Sequence, residues 1–506
     1  MPAPSAWRRH LVSDRGLLAL VLAIALLHAL FEARSRPLYQ VPDEMAYLRA
    51  AQVVALEGAT PAERLCIAPP DGRLLETGEG GKTGFRLVTG LQLHLLCQVP
   101  DARLPLFALR AWQAVSLPLV AWASWYLAVV LTGRRDVGLL AALLVAVHPV
   151  AAVFAGGVTP DAWANAFSAG AFVAATRLAL ARDRWWDAWM LGVCIVGGLL
   201  WKDTTSAMLA LVPMVVVVRV AGAGRPTVEG RRARPAAAIA SVVVFGAIAA
   251  GLATALVSPY VLQAETPLHL LEAPWTSSVR VVADAALHAR GLLASSLQSL
   301  YRPLTYLYPV PNQPLTPPFV TLVYVALLAM ALAGAVRAAT CGDEDRRLSR
   351  RRVFAVWLPA AALCFVQPSI RQIVAGVEEL HQGRWLFPLL APAAALVATW
   401  VFDLVGRRHL MPLFTVATLS SLWAVILDVV RHYFVAFPGT LATGVLFTRP
   451  TGDHDIGDAL VLQLIARTAE AQTPFWTWGI LVLLVVTCLG LTVAVIPHAT
   501  SSPRHV

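Results

Sequence analysis

Apolar runs of roughly 18–25 residues recur along this chain, each closed by charge, proline or glycine, and that spacing is long enough to cross a hydrocarbon layer about 30 Å thick. The runs predict serial spanning helices, because backbone groups in lipid must bond within their own segment. Spans are expected at about 16–33, 107–131, 137–156, 161–181, 188–201, 204–220, 236–257, 317–336, 353–370, 385–404, 410–430 and 474–496. The expected architecture is an all-α polytopic membrane protein of about 12 transmembrane helices, within a range of 10–13, forming a single integral domain over 1–506. The segment that follows Arg8 and Arg9 is long, lacks a small-x-small cleavage site, and reads as an uncleaved first span.

Charge orients the pattern. With the N-terminus in the cytoplasm, the inner segments hold Arg8, Arg9 and Arg15, then Arg134 and Arg135, then Arg182 and Arg184. They continue with Arg219, Arg225, Arg231, Arg232 and Arg234, then Arg337, Arg346, Arg347, Arg350, Arg351 and Arg352, and finally Arg407 and Arg408. Every short inner loop is basic, as the positive-inside rule requires. Three sizeable segments then fall outside, at about 34–106, 258–316 and 431–473, with short amphipathic helices expected in them. One such helix is expected near Pro42, and another over Val279–Leu300.

Composition sharpens the class. Of 506 residues, 58% are hydrophobic and 14% charged, and the mean hydropathy is +0.66. A soluble chain sits near 45–50% apolar and about 25% charged. The net charge of +10 lies in short connectors, which makes it a topology signal and not a nucleic-acid surface. Cys66 and Cys97 share the first outer segment, where an oxidising compartment would permit a disulfide. Cys194, Cys364 and Cys488 fall inside spans as packing residues. There is no P-loop, no Gly-x-Ser-x-Gly, no zincin motif and no Cys-x-x-Cys.

Candidate chemistry gathers at the outer ends of the spans. Pro42-Asp43-Glu44 follows the first span, opening a helix with Tyr47, Ala50, Ala51 and Val54 on one face. Helix capping explains an acid at such a place, and a general base at the membrane surface explains it too. Asp161 opens the fourth span, with Asn165 one turn on, and again suits an N-cap. Lys202, one of only two lysines, stands between the fifth and sixth spans. It suits a held anionic group or a snorkelling cation. Glu379, His381 and Arg384 precede the tenth span. Arg384 offers a bidentate phosphate contact, while His381 reads more readily as a loop hydrogen bonder than as a metal ligand.

At these residues the chain resembles a family. Pro42-Asp43-Glu44, Thr159-Pro160-Asp161 with Asn165, Trp201-Lys202 and Gln382-Gly383-Arg384-Trp385 with Pro388 occur in the same order in an uncharacterised bacterial family of multi-pass membrane proteins. That family is similar to the GT-C glycosyltransferases. Where the family commonly has Pro-Ala-His after Asp-Glu, this chain has Met45-Ala46-Tyr47. The resemblance implies a GT-C-like fold in a bacterial inner membrane and transfer from a polyprenyl-phosphate-linked sugar. The acceptor would be a cell-envelope glycan, lipid or protein on the extracytoplasmic face, and the mechanism inverting. It implies Asp43, with Glu44, as the catalytic carboxylates, and Lys202 and Arg384 as the donor-phosphate ligands. Asp161, Asn165, Glu379 and His381 would orient substrate. No cofactor is required by the resemblance, and a divalent cation is left open. The competing expectation is a transporter or flippase of lipid-linked sugars, which would place polar groups and broken helices near the midplane.

Overall fold

The computed structural model describes residues 14–35, 44–56, 83–98, 105–180, 185–221, 318–342, 344–375, 383–405 and 474–500, together with 412, 415, 416 and 419. All regular structure among them is helical. In chain order these helices are α1 (Asp14–Ser35), α2 (Glu44–Leu56), α3 (Thr83–Cys97), α4 (Pro105–Ala114), α5 (Ser116–Thr132), α6 (Arg135–Ala146) and α7 (Pro149–Ala155). There follow α8 (Asp161–Ala179), α9 (Trp185–Trp201), a 3₁₀ segment (Asp203–Ala210) and α10 (Leu211–Ala221). The last are α11 (Pro318–Thr340), α12 (Glu344–Ala375), a second 3₁₀ segment (Gly383–Leu389), α13 (Leu390–Val405) and α14 (Pro474–Thr500).

Among the described residues four stretches are long and apolar enough to cross a membrane: Asp14–Arg34, Phe107–Thr132, Thr204–Ala221 and Leu386–Leu404. Shorter apolar helices occupy Trp186–Trp201, Ala329–Thr340 and Gly479–Val495. Helix also covers nearly all of the expected span at 161–181 and the whole of that at 353–370. The expected span at 236–257, most of that at 410–430 and the amphipathic stretch over 279–300 lie outside the described residues.

The packing turns on a few local decisions. Gly133 takes a left-handed conformation, with φ of 72°, and its N–H bonds the carbonyl of Val129 at 2.7 Å. That closes α5 with a left-handed cap and returns the chain as α6 against it. The run expected as one span at 137–156 is broken. Pro149 has no N–H to give, and His148 leaves helical geometry to cap α7, its Nδ1 accepting from Ala151 N at 3.2 Å. The Ala146 carbonyl faces His28 of α1, whose Nδ1 donates to it at 3.0 Å. A carbonyl only accepts, so a proton on Nδ1 is required there. Beyond the break, Gly156 lies against α1 so closely that a Cβ would stand 2.7 Å from Ala29 O and 2.7 Å from Ala33 N.

Two ends of the bundle can be told apart by their ion pairs. At one end Asp14 pairs with Arg135 at 3.0 Å, Arg337 pairs with Asp403 at 2.7 Å, and Arg350 Nε reaches the Leu131 carbonyl at 2.6 Å. Arg134 lies over the Phe402 ring at the same end. All four arginines belong to the segments that the charge pattern assigns to one side. The large buried cluster runs through α1, α5, α6, α8, α12, α13 and α14. A smaller cluster at the other end joins α2, α3, α4, the start of α8 and Trp201.

The backbone of α1 cannot yield at Gly156 as a side chain would. Gly156→Ala is therefore expected to cost about 1–3 kcal/mol through overpacking. Gly490→Ala, in α14 with nothing near its virtual Cβ, should be neutral or gain up to about 1 kcal/mol from helix propensity. Thermal unfolding of the two variants in detergent checks the contrast.

Candidate functional site

The smaller cluster carries a buried ion pair that ties four segments together. Glu44 opens α2 and Arg110 sits in α4; they are 0% and 1% exposed. Arg110 Nε donates to Glu44 Oε1 at 2.8 Å and Nη2 to Oε2 at 2.6 Å, a fork on a carboxylate. Arg110 Nη1 donates to the Ala33 carbonyl at the end of α1, at 3.0 Å. Glu44 Oε1 also accepts from the backbone N–H of Val158 at 2.9 Å. The end of α1, the start of α2, the middle of α4 and the turn after α7 thus meet at one carboxylate. The sequence offered Glu44 as a catalytic acid beside Asp43. The structure encloses it, with both oxygens engaged by Arg110.

The same turn delivers Asp161. Thr159 Oγ1 donates to the Phe154 carbonyl at 3.2 Å and Thr159 N to Gly157 O at 2.9 Å, which holds the turn after α7. The N-cap position of α8 is occupied by Pro160, and no side-chain cap bond forms there. Asp161 is consequently not the capping residue that the sequence allowed. Its Oδ1 accepts from Lys202 Nζ in an ion pair instead. The side chain of Asp161 is 3% exposed and that of Lys202 14%. Lys202 is fixed at the junction of α9 with the first 3₁₀ segment: its N–H bonds Gly198 O at 2.8 Å, and its carbonyl accepts from Thr205 Oγ1 at 2.6 Å. Asn165 follows one turn below Asp161 and is buried.

Aromatic rings frame this pair. Trp201, next to Lys202, meets Phe85 edge-on at 6.2 Å and Phe167 at 5.9 Å. Phe85 in turn meets Tyr47 at 5.7 Å, so α2, α3, α8 and α9 share one aromatic junction. Trp163 stacks on Trp112 at 4.8 Å and leans on Phe167. The second 3₁₀ segment, which carries Arg384, packs on α8, on α12 and on the first 3₁₀ segment. Phe387 in that segment touches His148 and Phe154 at 5.6 and 5.9 Å.

Of the residues singled out in the sequence, Asp161 and Lys202 are brought into contact. Glu44 joins them through the 156–160 turn, and Asn165 lies on the same helix as Asp161. Arg384 is placed by its backbone in the second 3₁₀ segment. Asp43, Glu379, His381 and Cys66 lie outside the described residues. Cys97 is disulfide-bonded, while Cys194, Cys341, Cys364 and Cys488 are free. Among the described residues no group of three His, Cys, Asp or Glu side chains is arranged to hold a metal ion.

Two features are not evident from the sequence. Arg110 is a lone cation in the run PLFALRAWQA, and a charge inside an apolar helix needs a partner, which is the one signal available. His28 and Glu32 form a fully buried i,i+4 pair in α1, with Nε2 4.0 Å from Oε1. A Cβ on Gly156 would stand 2.9 Å from that of Glu32, so this pair sits directly behind the turn that leads to Asp161.

No family model matches the chain, and no curated protein matches it. Among solved structures it is similar to the oligosaccharyltransferase of Archaeoglobus fulgidus. Against the apo form the identity is 13% and the TM-score 0.44, over 91% of this chain and 60% of that one. Against the complex with Zn and sulfate they are 14% and 0.41, over 87% and 57%. The chain thus spans less than two thirds of the length of that protein. At this degree of likeness the chemistry of the site rests on its own residues.

A buried charge stripped of its partner costs about 3–5 kcal/mol, whereas removing both partners costs far less. Arg110→Met is expected to lower stability by about that amount, and the double variant Arg110→Met/Glu44→Gln to recover much of it. Unfolding of the purified variants measures the cycle.

Proposed function

We propose that this chain transfers a sugar from a polyprenyl-phosphate-linked donor to a cell-envelope glycan, lipid or protein acceptor on the extracytoplasmic face of a bacterial inner membrane. The observation that carries the reading is the Asp161–Lys202 ion pair, held where two 3₁₀ segments and the Glu44–Arg110 clamp gather at one end of the bundle. The basic connectors of the other end support the orientation, because they satisfy the positive-inside rule only with this end outside.

In this reading Asp43 is the general base. It takes the proton from the acceptor hydroxyl, whose oxygen forms a bond to the anomeric carbon. The bond from that carbon to the phosphate oxygen breaks on the opposite face, and the electron pair leaves with the lipid phosphate. The configuration inverts. Arg384 and Lys202 stabilise charge as it develops on the departing phosphate. Asp161 aims the Lys202 ammonium, and Asn165 orients substrate from the next turn. Glu44 is a positioning residue: its clamp with Arg110 fixes the start of α2, one residue from Asp43. Glu379 and His381 are assigned to the acceptor side, and no step depends on a divalent cation, since Arg110 and Lys202 engage the Glu44 and Asp161 carboxylates.

A transporter or flippase of lipid-linked sugars is the second reading, and one observation favours it. The α6–α7 break has the buried His28 and Glu32 beside it and the half-buried His148 within it. Interrupted helices with ionisable neighbours are a device that transporters use.

The test is transfer of radiolabelled sugar from a panel of polyprenyl-phosphate sugars by purified protein in nanodiscs. Asp43→Asn should lower kcat about 10²–10⁴-fold as loss of a general base. Lys202→Met should lower it about 10²–10³-fold as loss of electrostatic stabilisation. Asp43→Asn should unfold near the wild-type temperature. Lys202→Met leaves the buried Asp161 carboxylate without its ion-pair partner and should unfold lower, so its kcat is read at a temperature where the variant is still folded. Lipid translocation without covalent product would establish the second reading; transfer that survives Asp43→Asn would remove the base.

A further inference from the structure

The apolar helices of the bundle expose stripes at helical spacing, as surfaces meant for lipid do. On α14 the stripe is Val482, Val486, Leu489 and Val493; across α4 and α5 it is Trp112, Val115, Leu119 and Trp122. One helix outside the expected spans shows the same pattern. In α3, Leu87, Leu91 and Leu95 are 53%, 58% and 53% exposed, a row one turn apart. The opposite face is closed: Phe85 and Thr89 are fully buried and Leu93 nearly so, packed against α2 and the aromatic junction. Soluble surfaces rarely leave such a row uncovered.

The length of α3 rules out a crossing. Its 15 residues rise about 22 Å at roughly 1.5 Å each, short of a hydrocarbon core of about 30 Å. The polar residues Arg86, Gln92 and His94 along it also argue against one. Its level is set by Gly84, whose virtual Cβ would meet the Leu200 carbonyl oxygen at 2.8 Å, in the last turn of α9. The helix therefore begins where an apolar helix ends. It also packs on α4, the helix whose outward Trp112 starts the lipid-facing stripe. An amphipathic helix that starts at the end of an apolar helix, with a leucine row on its open face, suits the plane of the interface.

We infer that α3 is an interfacial helix whose Leu87, Leu91 and Leu95 side chains insert into the acyl region of the leaflet. The occupant of this face is membrane lipid. The inference stands apart from the sugar-transfer reading and depends only on the chain being embedded in a bilayer. Its consequence for the site is mechanical, since Phe85 on the reverse of α3 touches both Tyr47 and the Trp201 that precedes Lys202.

The test places a nitroxide on Leu91→Cys, in a Cys341→Ser background that removes an exposed free thiol. The protein is held in nanodiscs of phosphatidylethanolamine and phosphatidylglycerol, and collision rates are measured with oxygen, which partitions into lipid, and with a water-soluble nickel chelate. Leu95→Cys repeats the measurement, and Leu93→Cys, on the closed face, is the buried reference. Oxygen collisions well above nickel collisions at positions 91 and 95, and neither at 93, are the expected result. Nickel collisions in excess at 91 and 95 would mean that the row faces water, and low values for both reagents would mean that protein covers it. Either result overturns the inference.

Discussion

The arrangement around Asp161 and Lys202 depends on a guanidinium and a carboxylate that have both left water. Glu44 and Arg110 contribute little as a net gain, because desolvation offsets most of their attraction. Their importance is geometric. A fork on a carboxylate admits one relative orientation, and a further N–H of Arg110 and the second lone pair of Glu44 Oε1 engage the Ala33 carbonyl and the Val158 N–H. Segments as distant in the chain as Glu44 and Val158 are thereby held at a single point. Slack in any of them would move the start of α2 or the turn before Asp161.

The broken helix serves the same purpose from below. A continuous helix through 137–156 would carry the chain straight past α1. The interruption at His148 releases the Ala146 carbonyl, His28 takes it, and α7 sets off in a new direction toward Gly156. Because Gly156 has no side chain, α7 can rest on the backbone of α1 at Ala29 and Ala33. The turn that follows is then close enough to reach Glu44. One absent N–H, one histidine and one absent Cβ together place the carboxylate of Asp161 where Lys202 can meet it.

Much of the fold was legible from period and charge. The helices at 14–35, 161–179 and 318–340 follow the apolar runs, and four of the arginines assigned to one side, Arg134, Arg135, Arg337 and Arg350, lie at one end of the bundle. Asp161 and Lys202 were legible as candidates because a rare lysine and a helix-initial acid stand at span ends. Their pairing was not legible, since the two are far apart in the chain and only packing of α8 on α9 brings them together. Asp161 as an N-cap was a reasonable reading of local chemistry that a tertiary partner overrode. The role of Glu44 was hidden for the same reason, its partner Arg110 lying two helices further on in a run that reads as almost uniformly apolar. The break at His148 carried a clear signal, Pro149, but proline alone does not say whether a helix kinks or stops.

An ammonium that is already neutralised by a carboxylate is almost silent at a distance. The field of the Asp161–Lys202 couple falls off as that of a dipole, and salt screens what is left beyond roughly 8–10 Å. A charged molecule in the surrounding water would therefore not be drawn to this couple from afar. Whatever engages it, from the water or from the leaflet, meets it by unsteered diffusion, so the couple itself lends that encounter little dependence on ionic strength.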